Sequence, residues 1–300
     1  MEGNKFNIVF NINPLGLDGL EATLVSLIRN CSSPHDLKIW FLFNDFSNKQ
    51  SGLIYQIFEA LQFKGNFEVI NYKASEYFGN LISLHGDYTT YGKLLIAKFI
   101  PIDTILYLDS DLIINLDVLA LRIFDFKDNF LAAVSRSSIK WSLDRTFLIN
   151  ELNLPETQAY FNAGVLLLNL KKWREGNVTD KWKGISEKYP NELISHDQTL
   201  FNAICNGEFA KLPDNFNVSW HPKLIEPTQV ENAIVHFIGS PKPWDFLGKF
   251  IHPGYNLWFS YQKVLNISKV KKLSLIYWVR TWKIRKSIYR ASMQKKRYNN

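Results

Sequence analysis

The sequence predicts an α/β protein with a mostly parallel, doubly wound sheet and a basic amphipathic tail at its C-terminus. Three features predict it: short apolar runs alternate with segments of helical spacing, one such run ends in a pair of carboxylates, and charge is segregated between the body and the last 55 residues.

The alternation starts at once. Lys5 to Ile12 is an apolar run closed by Asn13-Pro14, and Leu20 to Arg29 then sets Leu20, Leu24, Leu27 and Ile28 on one helical face. Leu37 to Phe43 reads as a buried strand, Ser51 to Leu61 as a helix, and Phe67 to Ile70 as a strand. Strands separated by helices imply parallel pairing. Further along, Tyr91 to Phe99 predicts a helix, Thr104 to Leu108, Phe130 to Ser135 and Ala163 to Leu170 predict strands, and Gln198 to Cys205 predicts a helix.

With 300 residues, 46% of them apolar, the chain can bury one substantial core. The net charge of +7 is not evenly spread: 13 Lys and Arg and no acidic residue follow Asp245, which leaves residues 1–245 with 22 basic and 28 acidic side chains. A nucleic-acid enzyme would line its main domain with positive charge, so no nucleic-acid partner is expected. The division implied is a catalytic domain over 1–245 and a basic, aromatic segment over 246–300. Cys31 and Cys205 are too few for a disulfide framework and read as buried packing residues of a reducing compartment. The opening residues, with Glu2 and with Asn11 and Asn13 breaking the apolar run, read as neither signal peptide nor membrane anchor. Sequons such as Asn217-Val218-Ser219 therefore carry no weight. There is no G-x-G-x-x-G after the first strand and no G-x-x-x-x-G-K-[ST], so a nucleotide must be held in another way.

Chemistry gathers at Thr104-Ile-Leu-Tyr-Leu-Asp109-Ser110-Asp111, where a buried strand delivers two carboxylates at its carboxyl end, the edge at which open parallel sheets bind ligands. Residues at i and i+2 of an extended chain share a face, so both can converge on one divalent cation that also takes diphosphate oxygens. Asp at a strand end is equally a loop cap. Ile234-Val-His236-Phe-Ile-Gly239-Ser-Pro-Lys242 adds an imidazole that can complete a carboxylate site and favours manganese over magnesium, a glycine that admits phosphate to the backbone, and a cation to neutralise it. Taken singly, His236 also fits a core histidine. Asn162 precedes the small pair Ala163-Gly164, and Asp197-Gln198 opens a helix, where Asp also serves as an N-cap.

Four ordered motifs, Ile105–Asp111, Tyr160-Phe-Asn-Ala-Gly through Leu170, His196-Asp-Gln198, and His236-x-x-Gly-Ser-x-Lys-Pro-Trp244, make most of residues 5–245 similar to the retaining glycosyltransferases of family 8. The resemblance implies a GT-A type nucleotide-sugar-binding fold and transfer of galactose or glucose from a UDP-hexose to a glycan or glycolipid such as lipopolysaccharide. It implies Mn²⁺, with Mg²⁺ as the alternative ion, held by Asp109, Asp111 and His236. Gly239 and Lys242 would meet the diphosphate. Asn13, Lys93, Ser110 and Asn162 would contribute to the donor site, and Asp197 and Gln198 would lie beside the transferred sugar as catalytic residues. Departures from the family pattern are Asn11-Ile12-Asn13 in place of Ala-x-Asp, Lys93 in place of arginine, and Arg136 in place of aspartate. Two other readings are a non-catalytic glycan- or lipid-binding module on the same fold, which loss of a metal ligand would signal, and a sugar nucleotidyltransferase, whose usual Gly-rich phosphate loop is absent.

The tail after Val270 mixes Ile276, Tyr277, Trp278, Val279, Trp282 and Ile284 with Arg280, Lys283, Arg285 and Lys286. It is too short and too charged to span a bilayer but suits the plane of an anionic membrane surface. The expected location is cytoplasmic, peripheral on the inner face of the plasma membrane, and a chain ending near Lys269 is expected to fold and stay active.

Overall fold

A computed structural model describes residues 5–227, 229–265, 267 and 275–298, with side chains in the last segment described over 278–293. β1 (Phe6–Ile12) leads through a 3-10 turn into α1 (Leu17–Asn30), and β2 (Leu37–Asn44), α2 (Asn48–Ala60) and β3 (Asn66–Tyr72) follow. The middle of the chain holds α3 (Ala74–Phe78), a 3-10 segment (Thr89–Leu95), α4 (Ile96–Phe99), β4 (Thr104–Leu108), β5 (Leu112–Ile114), β6 (Leu131–Ser138), α5 (Arg145–Asn150) and β7 (Ala159–Asn169). α6 (Leu170–Glu175), α7 (Val178–Lys188), α8 (Asp197–Cys205), β8 (Ala210–Lys211), β9 (Val218–Ser219), β10 (Ile234–His236), α9 (Gly248–Ile251), α10 (Tyr255–Gln262) and α11 (Leu275–Tyr298) complete it.

Seven strands form one sheet in the order β3-β2-β1-β4-β7-β6-β8. The pairs β1–β2, β2–β3, β1–β4 and β6–β8 are parallel, while β7 runs antiparallel to both β4 and β6. That reversal matters for the site, because it lays the first residues of β7 beside the carboxyl end of β4, with Leu108 opposite Val165. Both faces are covered. In β1, Ile8, Phe10 and Ile12 pack with α1 and α2, and Val9 turns to the layer holding Trp173, Trp182 and Phe201, the period-2 sorting of a strand buried on two sides.

A second sheet, β5-β10-β9, stands beside the first. β5 has only three residues, and α1 completes its hydrogen bonding: Leu112 N donates to Thr23 Oγ1 (3.2 Å), Thr23 Oγ1 donates to Leu112 O (2.7 Å), and Ile114 N donates to Ser26 Oγ (2.9 Å). The hydroxyls of Thr23 and Ser26 thus take the place of a neighbouring strand, and Asn30 Nδ2 adds a bond to Ile114 O (2.8 Å). Trp220, Phe237, Trp244 and Trp258 form a separate core under this sheet.

The helix expected over Tyr91 to Phe99 is a 3-10 segment that becomes α-helical only at Ile96. Tyr91, Gly92, Lys93, Leu94 and Leu95 are all buried, so the segment is embedded in the body and has no solvent face to impose an amphipathic α-helix. Cys31 and Cys205 are free and buried. Burial raises both thiols, Cys31 to about 11.

Beyond residue 245, α10 packs on α1, and the buried Glu21 of α1 accepts from Gln262 Nε2 and Ile267 N, each at 2.9 Å. Residues 268–274, where the predicted tail begins, lie outside the described residues, as do the side chains of Ile276 and Tyr277. On α11, Arg280, Ile284 and Ala291 share one face: the last two are buried, and Arg280 reaches Asp245 through Nε (2.5 Å) and Nη2 (2.9 Å). The opposite face carries Trp278, Trp282, Tyr289 and Met293, all exposed. Lys283 Nζ donates to His85 O (2.9 Å). No helix among the described residues is long and apolar enough to cross a membrane.

Candidate active site

A cavity of about 350 Å³ opens at the carboxyl edge of β4. Ten of the eleven residues singled out in the sequence line it: Lys93, Asp109, Ser110, Asp111, Asn162, Asp197, Gln198, His236, Gly239 and Lys242. Asn13 does not. Its side-chain Oδ1 caps the 3-10 turn after β1, accepting from Leu15 N (3.0 Å) and Gly16 N (3.1 Å), and its Nδ2 donates to Asp87 Oδ2 (3.0 Å). Asn11, two residues earlier on the same strand, lines the cavity instead.

Asp109 and Asp111 leave β4 on its carboxyl side, and His236 ends β10, which pairs with β5 so that His236 lies opposite Leu112. This pairing brings a residue 125 positions away in the chain to within 3.2 Å of Asp111 Oδ1 and 3.7 Å of Asp109 Oδ2, both measured from His236 Nε2. One ligand atom from each of the three residues lies within 4.8 Å of the others. The donor set suits a divalent cation: two carboxylates, one imidazole, and a buried Asp111 Oδ1 with no hydrogen-bond donor among the described residues. Burial opposes ionisation of Asp111, yet Lys242 and His236 outweigh it and hold the carboxyl well below the usual range. Gly164 makes the convergence possible, since a Cβ there would overlap the His236 ring and lie 2.8 Å from Asp109 Oδ2.

Lys242 lies on the far side of Asp111, with Nζ 2.6 Å from Oδ2 and donating also to Phe237 O. Its own amide donates to Asp245 Oδ2 (2.7 Å). Gly239 on the same loop has φ +72°, and a Cβ there would press on the His221 ring at 2.8 Å.

Lys93 organises the other end. Its buried Nζ is 2.8 Å from Asp197 Oδ2 and 3.5 Å from Asp109 Oδ1, donates to Ala163 O (3.0 Å), and sits 4.5 Å above the Tyr107 ring. Burial would lower its pKa, but the two carboxylates outweigh this and raise it. Asp197 is pushed up to about 6 by burial, against the pull of Lys93. Thr90 Oγ1 donates to its Oδ1. The amide of Asn202 clamps α8 to β7, donating to Phe161 O (2.9 Å) while its oxygen accepts from Phe161 N (3.0 Å).

A second cavity, of about 300 Å³, adjoins the first and shares Asn162, Ser195 and Gln198 with it. Arg136, Trp141 and Leu143 line its outer part, and Trp141 is 76% exposed.

The sequence reading missed four residues that touch this machinery. Asn217 meets His236, Asp144 and Tyr160 meet the residues around Gln198, and Tyr107 donates to Asp109 Oδ1 (2.5 Å). Only Tyr107 and Tyr160 stand inside recognised motifs. Asn217 showed only as a sequon, and Asp144 lies in a stretch with no pattern.

The sequence pattern of glycosyl transferase family 8 matches residues 8–248. Lipopolysaccharide 1,3-galactosyltransferase of Salmonella typhimurium is 26% identical over 262 residues, covering 83% of this chain and 76% of the relative. General stress protein A of Bacillus subtilis is 25% identical over 260 residues, covering 81% and 87%. The crystal structure of the galactosyltransferase LgtC with donor and acceptor sugar analogues superposes with a TM-score of 0.71 at 22% identity, over 91% of this chain and 99% of that one, a likeness of fold that agrees with the GT-A expectation. With the family pattern running through the strands that carry Asp109, Asp111 and His236, the chain belongs to glycosyl transferase family 8.

Proposed function

We propose that this chain is a retaining hexosyltransferase that moves galactose or glucose from a UDP-hexose to a glycan or glycolipid acceptor such as lipopolysaccharide, and that it depends on Mn²⁺, with Mg²⁺ as the alternative ion. One observation carries the reading: a single cavity has a carboxylate–carboxylate–imidazole cluster and Lys242 at one end and Asp197 with Gln198 at the other. A nucleoside diphosphate needs the first pair of features and a sugar ring the second.

Asp109, Asp111 and His236 would hold the cation, which when bound neutralises the diphosphate and favours its departure. Lys242 and the backbone at Gly239 would take phosphate oxygens. Ser110 and Asn162 would border the donor. Lys93, already committed to Asp109 and Asp197, would fix the spacing between the metal end and the sugar end. Asn13 would act through the entry turn that it caps. In the transfer, the acceptor oxygen bonds to the anomeric carbon as the bond from that carbon to the diphosphate oxygen breaks, and the acceptor proton passes to the departing diphosphate. Gln198 is an amide and a poor nucleophile, so same-face attack fits better than a covalent intermediate, with Asp197 and Gln198 stabilising positive charge on the sugar. The adjoining cavity, with Trp141 at its rim, would receive the acceptor.

Within residues 246–300, α11 would serve for attachment to the anionic inner face of the plasma membrane. Supporting this, Trp278, Trp282, Arg285 and Tyr289 form one outward stripe on α11, and Arg285 lies 4.1 Å over the Trp282 ring. A screen of UDP-sugars with manganese, reading UDP release, tests the reading: one UDP-hexose should release UDP and EDTA should stop it, whereas release that persists in EDTA would remove the metal assignment.

A further inference from the structure

We infer that Asp144, Tyr160 and Asn217 are positioning residues that set the orientations of Gln198 and of the His236 ring through one continuous, one-way chain of hydrogen bonds; the catalytic meaning of this rests on the transferase reading above.

The direction of the chain follows from groups that have no choice. A backbone N–H only donates. The Gln198 atom 3.2 Å from Ala163 N and the Asn162 atom 3.0 Å from Gly164 N are therefore both oxygens. With its oxygen so placed, Asn162 turns its NH₂ to Gln198 Oε1 (2.9 Å). Asn162 Oδ1 can only accept, so the Asn217 atom 3.1 Å away is nitrogen, and the Asn217 oxygen faces His236 Nδ1 at 3.1 Å. Hence Nδ1 carries a proton that it donates to Asn217, and Nε2 is the ring nitrogen turned to Asp109 and Asp111.

At the other end, Gln198 Nε2 donates to Tyr160 Oη (2.9 Å). That oxygen can accept because its own proton goes to Asp144 Oδ2 at 2.5 Å. Burial and then the Asp144 charge raise the Tyr160 phenol, so it keeps that proton. Asp144, wholly buried, also accepts at Oδ1 from Ser195 N (3.0 Å) and Thr199 Oγ1 (2.8 Å), which ties down the turn before Asp197 where His196 has φ +57°. Every polar side-chain atom of Asn162, and both polar atoms of Gln198, are thus assigned. Reversing any amide would place two donors or two acceptors face to face, at a cost of about 1–3 kcal/mol for each buried group left unpaired. Gln198, which lines both cavities, is held in one orientation before any substrate arrives, and charge at the anomeric carbon meets a fixed dipole.

The test uses the full chain. Imidazole ¹⁵N–¹H correlations report the His236 Nδ1 proton without any turnover: the expected result is a protonated Nδ1 in wild type and loss of that protected proton in Asn217→Leu, whose Mn²⁺ affinity should drop about 10- to 100-fold. Tyr160→Phe keeps the ring but cannot bridge Gln198 to Asp144, and should lower kcat about 10- to 100-fold while KM for the donor and UDP affinity stay within about twofold. Asp144→Asn should follow Tyr160→Phe if it folds; if it does not, Tyr160→Phe still decides. An unprotonated His236 Nδ1 in wild type, or unchanged kcat in Tyr160→Phe, overturns the inference. A wild type that turns over no UDP-hexose overturns the transferase reading and leaves the Nδ1 result standing by itself.

Discussion

At the scale of single residues, the site depends on how closely its charged groups are packed. Gly164 is the most sensitive position, because the space a methyl group would fill is occupied by His236 and flanked by Asp109. Gly164→Ala is expected to keep the fold, as its neighbours in β7 stay paired, but to weaken Mn²⁺ binding at least tenfold, measured by titration calorimetry. A variant that binds the ion like wild type would show that these three side chains are not its ligands. Asp197 sits at the other end, clamped by Lys93 and Thr90. Asp197→Asn nearly preserves its shape while removing the charge, so kcat should fall about 100-fold or more with little change in UDP affinity, read from steady-state kinetics beside UDP titrations. A parallel loss of both would make Asp197 a structural cap.

At the scale of elements, the small sheet β5-β10-β9 is what carries His236 to the carboxyl edge of β4, and its supports lie outside the catalytic cavity. His252 is one of them: it is buried against Phe237, with ring centroids 5.4 Å apart, and its Nδ1 accepts from Gly254 N at 3.0 Å. Burial, reinforced by Lys242 and His221, lowers its pKa to about 3. The folded ring therefore stays neutral while the unfolded one takes up a proton below about 6.5, so the contribution is present above that value and is lost as pH falls toward 3, by roughly 2 kcal/mol at pH 5. Thermal melts at pH 7.5 and pH 5 should show a smaller acid-induced loss for His252→Asn than for wild type; equal losses would contradict the assignment. α11 gives a second case. Asp245 is 1% exposed at its side chain, and Arg280 pairs with it through two nitrogens, so Arg280→Ala should cost about 3 kcal/mol. A chain ending near Lys269 should lose the same contribution and so be folded but less stable, and because Asp245 also holds the amide of Lys242, its UDP affinity should fall as well. Denaturant titration of the two forms checks this, and equal midpoints would show that the helix adds nothing to the body.

At the scale of the whole molecule, the charge split is the feature the sequence displays most openly, and the outward aromatic stripe of α11 gives it a surface. The full chain should sediment with anionic liposomes, lose part of that binding in high salt and ignore neutral ones, whereas a chain ending near Lys269 should stay in solution. Equal sedimentation of both forms would exclude the tail as the anchor. The fold and most of the cavity were legible because strand periodicity and the Asp109-Ser110-Asp111 and His236 motifs are local signals. The reversal of β7 was not, since an apolar run reads alike in either direction, and the 3-10 winding before Ile96 comes from burial on all sides rather than from any residue pattern. Asn217, Asp144 and Tyr160 escaped for a related reason: they act through partners 19, 16 and 38 positions away, which only the folded chain brings together. Retaining, metal-dependent transfer is tested by an NMR time course of the full chain with a UDP-α-hexose, Mn²⁺ and a soluble glycan acceptor. UDP and an α-linked product should appear in equal amounts, and both should stop when EDTA is added. Turnover that continues in EDTA, a β-linked product, or release of UMP and pyrophosphate in place of UDP would contradict it.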